Sequence, residues 1–229
     1  MKKTTAIVLA GGEGSRLQPL VDQRAKPAVP FAGVYRLIDF ILLNLQKSGI
    51  SQINITTQTK ADSLLRHIEK HYVESGVSSR MGHYTRVRPA QLGDGSSGYL
   101  GTADAVYQNL SHILEDRSDF IAIFGADTIF KMDISQMLEF HQQHNADITI
   151  ASLPTPIDEA KRFGVISITD EGRILSFDEK PENPQLIPHN ASLALCSMGN
   201  YIFKTGVLQH IFASREMHYL SKHVVPRAL

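Results

Sequence analysis

The chain has 229 residues, which is enough for one domain with a full hydrophobic core. Its 23 basic and 23 acidic residues cancel, so the net charge does not favour broad binding to nucleic acid or to an anionic membrane. The sequence has no apolar run long enough to span a bilayer, and the apolar stretch behind its N-terminal lysines is too short for a signal peptide. The single cysteine, Cys196, excludes an intrachain disulfide and a cysteine-rich zinc site. We therefore expect a cytoplasmic protein with no membrane or nucleic-acid partner.

In the first two thirds of the chain, short apolar runs alternate with patterns of helical spacing. The apolar runs predict strands at residues 6–9, 52–57, 84–88, 120–124 and 148–152. The helical spacing predicts helices at residues 37–48, 62–71, 102–114 and 134–145. Such alternation favours a Rossmann-like α/β fold, in which a mostly parallel sheet carries helices on both faces.

The pattern changes after Pro154. Residues 165–168 and 174–177 predict the two strands of a hairpin around the turn Asp170-Glu171-Gly172. Residues 181–194 are rich in proline and asparagine and predict a loop. A strand at 195–203 and a helix at 205–212 follow.

A glycine-rich loop, Ala10-Gly11-Gly12-Glu13-Gly14-Ser15-Arg16-Leu17, directly follows the first predicted strand. Glycines allow several backbone N–H groups to converge on an anion, and the fork of Arg16 matches phosphate geometry. Lys26 follows soon after. However, the loop lacks the Gly-Lys-Ser/Thr ending of a P-loop, and Leu17 stands where a dinucleotide-binding loop has its last glycine. The residues alone support phosphate binding and a plain turn equally.

Other polar residues occupy positions that suit ligand binding. Asp127 follows a buried strand and could bind Mg²⁺, a cation that prefers oxygen ligands, or could cap a helix. Glu179-Lys180 could bind a sugar phosphate or form a surface ion pair. Gln91 could read a base through its amide. Gly101 and Thr102 begin a helix whose N-terminus could face phosphates or a base. Alternatively, this N-terminus is simply capped, and Asp104 is one candidate for the cap.

The loop Gly11-Gly12-Glu13-Gly14-Ser15-Arg16-Leu17, with Lys26-Pro27 downstream, resembles the signature of the sugar-1-phosphate nucleotidyltransferases. Further segments occur in the order found in the glucose-1-phosphate adenylyltransferase branch of that family. These segments are residues 24–31, residues 35–40, Pro89-Ala90-Gln91, residues 101–105, Phe163-Gly164-Val165, Glu179-Lys180-Pro181 and Ser197-Met198-Gly199. Together they cover residues 6 to about 204.

The resemblance implies an activity and a role for each motif. It implies transfer of an adenylyl group from ATP to α-D-glucose 1-phosphate for glycogen or α-glucan synthesis, with Mg²⁺ as cofactor. The implied catalytic residues are Arg16, Lys26 and Asp127, and Asp127 would hold the metal. The implied nucleotide-binding residues are Leu9, Ala10, Gly11, Gly12, Gly14, Ser15, Gln91, Tyr99, Gly101 and Thr102. The implied sugar-phosphate-binding residues are Gly164, Glu179, Lys180 and Ser197.

Members of this family continue beyond the point where this sequence stops. They complete the catalytic domain, supply a second metal-binding aspartate, add a β-helix and assemble as homotetramers. From the resemblance we expect residues 1–229 to form an incomplete catalytic domain, truncated before the β-helix, that could associate with a full-length paralogue. Two alternatives stay open: a nucleotidyltransferase for another nucleotide or sugar 1-phosphate, and a non-catalytic binding paralogue or inactive fragment.

Overall fold

A computed structural model describes residues 2–12, 14–72, 83–90, 98–188, 190, 192–213 and 217–229 of the chain. In these residues, eight strands form one mixed sheet. The strands are β1 (Thr4–Leu9), β2 (Pro30–Phe31), β3 (Tyr35–Arg36), β4 (Gln52–Thr57), β5 (Tyr84–Pro89), β6 (Phe120–Gly125), β7 (Ile148–Pro156), β8 (Gly164–Ile168), β9 (Ile174–Glu179) and β10 (Leu193–Lys204). The helices are α1 (Leu37–Lys47), α2 (Asp62–His71), α3 (Thr102–Leu114), α4 (Ile134–Gln143), α5 (Ile157–Ala160) and α6 (Thr205–Phe212). β2 and β3 pair only with each other.

The first half of the sheet is parallel. β1 lies between β4 and β6, and β5 pairs with the outer side of β4. Leu9, the last residue of β1, is level with Thr56 on one side and Gly125 on the other. Because parallel strands end at the same edge of a sheet, the loops after β1, β4 and β6 emerge side by side.

The second half of the sheet is organised by the long strand β10, which runs antiparallel to its neighbours. Its C-terminal end pairs with β6, and its N-terminal end pairs with β8, which in turn pairs with β9. β7 pairs with β10 along its opposite side, with a bulge between Ser197 and Asn200. The α/β fold predicted from the sequence is thus confirmed, with an antiparallel half added to its parallel one.

Two hydrophobic cores lie on the two faces of the sheet. Alternate residues of β1 separate between them: Ala6 and Val8 belong to one core, and Ile7 belongs to the other. The first core contains buried residues of α1, α2 and α4, and the second contains those of α3 and α6. Helices therefore cover both faces, as the sequence predicts. No helix in the described ranges is both long and apolar enough to cross a membrane.

Most elements begin and end close to the predicted residues, but β7 is longer than expected. It continues through Pro154 and Pro156, where the sequence predicts that the strand has already ended. β7 pairs only with β10, so its other edge needs no backbone N–H groups and tolerates proline. The predicted loop at residues 181–194 is also shorter, because β10 begins at Leu193.

A buried carboxylate fixes α1 against α2. Asp39 accepts hydrogen bonds from the Arg36 backbone N–H at 2.7 Å and from the Tyr72 hydroxyl at 2.8 Å, and its Oδ1 lies 2.7 Å from Nε2 of His67. Burial and the hydrogen bond to Asp39 raise the pKa of Tyr72. Both helices contact the turn Lys26–Ala28, so this network supports the segment that carries Lys26.

A second buried polar group, His141, lies in α4. Its Nδ1 is 2.8 Å from the Thr149 hydroxyl, and its ring meets Phe120 edge-on. Its Nε2 has no hydrogen-bond partner among the described residues. Burial lowers the pKa of His141 to about 4, helped by the charge of Lys204 and opposed by that of Asp147. The folded protein therefore holds this imidazole neutral.

We expect the free energy of unfolding to fall as the pH drops from about 6.5 to about 4. The unfolded chain protonates His141 below about pH 6.5, whereas the folded protein resists protonation until about pH 4, so acid favours unfolding by up to roughly 3 kcal/mol. Urea unfolding at pH 7.5 and pH 5 should show about 2 kcal/mol of this loss. The His141→Asn variant should lack it. An equal loss of stability in this variant would contradict the prediction.

Candidate active site

A cavity of about 420 Å³ lies at the edge of the sheet where β1, β4 and β6 end. This volume suits a small-molecule ligand. The predicted site residues that line it are Leu9, Gly11, Gly12, Lys26, Tyr99, Gly101, Thr102 and Asp127. Met198 and Gly199, from the segment Ser197-Met198-Gly199, also line it. Lining residues that the sequence analysis did not single out include Thr56, Gln58, Tyr201, Tyr219, Leu220 and Ser221.

The glycine-rich loop is anchored where it leaves β1. The N–H of Ala10, a buried residue, donates to the Thr56 carbonyl at 2.8 Å, and the N–H of Ala126 donates to the Leu9 carbonyl at 3.0 Å. Gly14 has a φ of 64°, in the left-handed region that favours glycine. The base of the loop is therefore joined to the ends of both neighbouring strands.

Ser15 and Arg16 lie on a turn, Ser15–Leu17, that closes the loop. Both side chains are exposed, and neither is among the residues that line the cavity. Arg16 lies on the loop that borders the cavity, and its exposed side chain is accessible to a ligand.

Lys26 and Asp127 form an ion pair inside the cavity. The ammonium of Lys26 lies 2.8 Å from Oδ2 of Asp127, and the two side chains are 26% and 42% exposed. Lys26 begins a short helical turn, and Asp127 follows β6 by two residues. The structure therefore brings together two residues that the sequence analysis placed in one catalytic set.

The metal-binding capacity of the site rests on Asp127. No group of three or more His, Cys, Asp or Glu residues that could hold a metal occurs in the described ranges. Magnesium commonly binds through one or two carboxylates and takes its other ligands from phosphates and water. Among the described residues that line this cavity, Asp127 is the one carboxylate. It fits a magnesium ion that arrives with a phosphorylated ligand better than an ion held in a closed protein cage.

One wall of the cavity forms where a C-terminal segment reaches the start of α3. The N–H of Ala103 donates to the His218 carbonyl at 2.8 Å, and the N–H of Leu220 donates to the Thr102 hydroxyl at 3.0 Å. A Cβ at Gly101 would overlap the His218 carbonyl oxygen. Glycine is therefore needed at Gly101 because the two backbones meet there.

This contact changes the expectation for the helix N-terminus. The first N–H groups of α3 are directed at His218, and the carboxylate of Asp104 accepts a hydrogen bond from the Leu100 N–H at 2.8 Å. Gly101 and Thr102 still line the cavity. No side chain in the described ranges caps this helix, because Asp104 bonds the N–H of Leu100 outside it. The backbone carbonyl of His218 accepts from Ala103 instead, so that N–H is committed to the protein.

Tyr99 also lines the cavity, and its hydroxyl is fixed by hydrogen bonds. Its hydroxyl donates to the Arg88 carbonyl at 3.1 Å and accepts from the Asn109 amide at 2.9 Å. Burial raises the pKa of this hydroxyl. Tyr99 is thus a fixed, neutral wall residue, while Gln91 lies outside the described residues.

The predicted sugar-phosphate residues lie on a strip across β8, β9 and β10. Gly164 pairs with Glu179, and the pairing of Val165 with Cys196 places Ser197 next to Gly164 in the register. The hydroxyl of Ser197 accepts from the Gly199 N–H at 3.1 Å. The strip adjoins the cavity through Met198 and Gly199, which line it.

Within this strip, Lys180 is the exposed cation. Its side chain is 63% exposed, and its ammonium lies 3.8 Å from Oε1 of Glu179. Lys180 has a φ of 52°, and its N–H donates to the Phe163 carbonyl at 3.0 Å. A Cβ at Gly164 would overlap the Phe177 ring, so only glycine lets this ring lie under the strip.

Comparison with known proteins identifies the family of this chain. A family model described as "Nucleotidyl transferase" matches residues 5–229. The chain is 44% identical over 99% of its length to glucose-1-phosphate adenylyltransferase 1 of Vibrio cholerae, and 46% identical over 97% to glucose-1-phosphate adenylyltransferase of Thermus thermophilus. It covers 56% of each, so the chain spans about half the length of these curated relatives. The family match extends over almost the whole chain, and the chain belongs to the nucleotidyl transferase family.

Proposed function

We propose that this chain transfers the adenylyl group of ATP to α-D-glucose 1-phosphate, forming ADP-glucose and pyrophosphate for glycogen or α-glucan synthesis in the cytosol. The observation that carries the proposal is the convergence of the glycine-rich loop, Lys26 and Asp127 on one cavity that adjoins the strip of sugar-phosphate residues. Relatives that carry the name of this activity match nearly the whole chain.

The chemistry is an in-line displacement at phosphorus. A phosphate oxygen of glucose 1-phosphate attacks the α-phosphorus of ATP, the bond from that phosphorus to the oxygen bridging to the β-phosphate breaks, and pyrophosphate leaves. The attacking oxygen is already ionised, so the protein contributes positioning and charge neutralisation. Backbone N–H groups of Gly11, Gly12, Gly14 and Ser15 bind the triphosphate in this proposal, and Arg16 and Lys26 neutralise its charge.

Asp127 is the residue that would hold Mg²⁺ in this site. When bound, the ion supplies positive charge close to the α-phosphate, which makes the phosphorus a better electrophile. Asp127 suits this role because Mg²⁺ prefers oxygen ligands and would take others from nucleotide phosphates and water.

The sugar phosphate occupies the strip across β8, β9 and β10 in this proposal. Lys180, exposed and beside Glu179, binds the phosphate of glucose 1-phosphate, and Glu179 accepts hydrogen bonds from sugar hydroxyls. Gly164 and Ser197 contact the glucose ring of the substrate in this proposal. Tyr99, which lines the cavity, forms a wall for the nucleoside. The role of Gln91 in reading the adenine is carried over from the sequence motif Pro89-Ala90-Gln91 alone.

We expect the purified chain to release pyrophosphate with Mg²⁺, glucose 1-phosphate and ATP, and much more slowly with GTP, UTP or CTP. The Asp127→Asn variant should lose at least about 100-fold in kcat/KM, because the carboxylate that places the metal is gone. Asp147→Asn is a matched control, because Asp147 also forms an ion pair with a lysine, Lys204, at 2.8 Å but lies outside this cavity. Release that is unaffected by Asp127→Asn, or lost equally in both variants, would refute the assignment.

The Lys180→Gln variant should raise KM for glucose 1-phosphate by about tenfold or more and leave nucleotide binding unchanged. A charged hydrogen bond to the substrate phosphate is lost, which costs about 1.5–3 kcal/mol. Steady-state kinetics with each substrate varied in turn provides the measurement. Lys161→Gln, which removes a charge from an exposed turn after α5, serves as the control. A raised KM for ATP instead would place Lys180 on the nucleotide side.

A further inference from the structure

The carboxylate assigned to the metal already has a cationic partner. Oδ2 of Asp127 lies 2.8 Å from the ammonium of Lys26, and both residues line the cavity. Because both side chains are partly exposed to solvent, the ion pair is weak and can exchange its partners. A divalent cation and Lys26 therefore compete for the same oxygen.

The described residues offer a metal little besides Asp127. The described ranges contain no cluster of three or more His, Cys, Asp or Glu residues that could bind one without help. A divalent cation that approaches the free site thus gains one carboxylate and meets the positive charge of Lys26 close by. Both facts make the free cavity a poor site for the metal alone.

The stem of Lys26 is held against the glycine-rich loop. A Cβ at Gly14 would lie 2.8 Å from Cβ of Lys26 and 3.2 Å from its Cγ and Cδ, so the two segments are in close contact there. Only the end of the side chain crosses to Asp127. Rotation about the terminal bonds of Lys26 therefore moves its ammonium between the carboxylate and the space in front of the loop.

We propose that Lys26 takes the place of the metal in the free site: its ammonium neutralises Asp127 until the phosphates of a nucleotide draw it away. The metal and the nucleotide then bind together, each promoting the other. This inference rests on the proposed function for its assumption that the loop binds a triphosphate and that Asp127 binds the metal. By linkage, the factor by which nucleotide tightens metal binding equals the factor by which metal tightens nucleotide binding.

Mn²⁺ binding, measured by electron paramagnetic resonance without nucleotide, tests the competition directly. The Lys26→Gln variant should bind Mn²⁺ about threefold to tenfold more tightly than the unaltered chain, because it lacks the competing charge. Lys26→Arg keeps that charge and should bind as weakly as the unaltered chain. Lys204→Gln is a matched control, since Lys204 lies 2.8 Å from Asp147 with similar exposure and should leave Mn²⁺ binding unchanged.

The same variants with α,β-methylene-ATP, which cannot release pyrophosphate, test the linkage. Proton relaxation enhancement reports protein-bound Mn²⁺ in this complex. The analogue should tighten Mn²⁺ binding to the unaltered chain by a larger factor than to Lys26→Gln, from which the competitor is already absent. Equal Mn²⁺ affinity of Lys26→Gln and the unaltered chain without nucleotide would overturn the inference, as would an equal tightening factor in both.

These measurements need no turnover, so they separate this inference from the proposed function. Tighter Mn²⁺ binding by Lys26→Gln in a chain that makes no ADP-glucose would support the competition and reject the adenylyltransferase. ADP-glucose synthesis by the unaltered chain, with Mn²⁺ affinity unchanged in Lys26→Gln, would support the enzyme and reject the competition. Urea unfolding of each variant confirms that it is folded.

Discussion

The parallel pairing of β1 with β4 and β6 is the constraint on which the cavity depends. Leu9 is level with both Thr56 and Gly125, so three chain segments leave the sheet at one edge. This register brings Lys26 within 2.8 Å of Asp127, although 101 positions separate them in sequence. A slip of one residue in either pairing would turn the side chains of a strand to the wrong core and would separate the loop from the carboxylate.

The cavity lies where the parallel and antiparallel halves of the sheet meet. β6 carries Asp127 at its end and pairs with β10, whose residues Met198 and Gly199 form part of the wall. In the proposed function, the parallel half supplies the groups that bind phosphates and a metal, and the antiparallel half supplies the strip that binds the sugar phosphate. Strand pairing within one sheet fixes the distance between these two sets of residues.

The sequence predicted those parts of the structure that depend on short stretches of chain. Helix α3 begins and ends as predicted because its apolar residues recur at helical spacing, and the glycine-rich loop and Asp127 follow from the rule that ligands bind at strand ends. The central role of β10 was not predictable, because its pairing with three strands, β6, β7 and β8, joins distant parts of the chain. The cavity wall at Tyr219 was not predictable either, because no local pattern shows that this segment returns to α3. The sequence analysis also missed Thr56, although Thr56 lies at a strand end where ligands are expected to bind.

The wall at Tyr219 also has a consequence for how the site is completed during synthesis. The hydrogen bond from Leu220 to Thr102 joins residues 118 positions apart, and the loop that starts the cavity follows β1, the first strand of the chain. A ribosome makes the chain from the N-terminus, so the loop, Lys26 and Asp127 all leave the exit tunnel before Tyr219 does. Nascent chains that have not yet exposed residues 217–221 therefore lack this wall of the cavity.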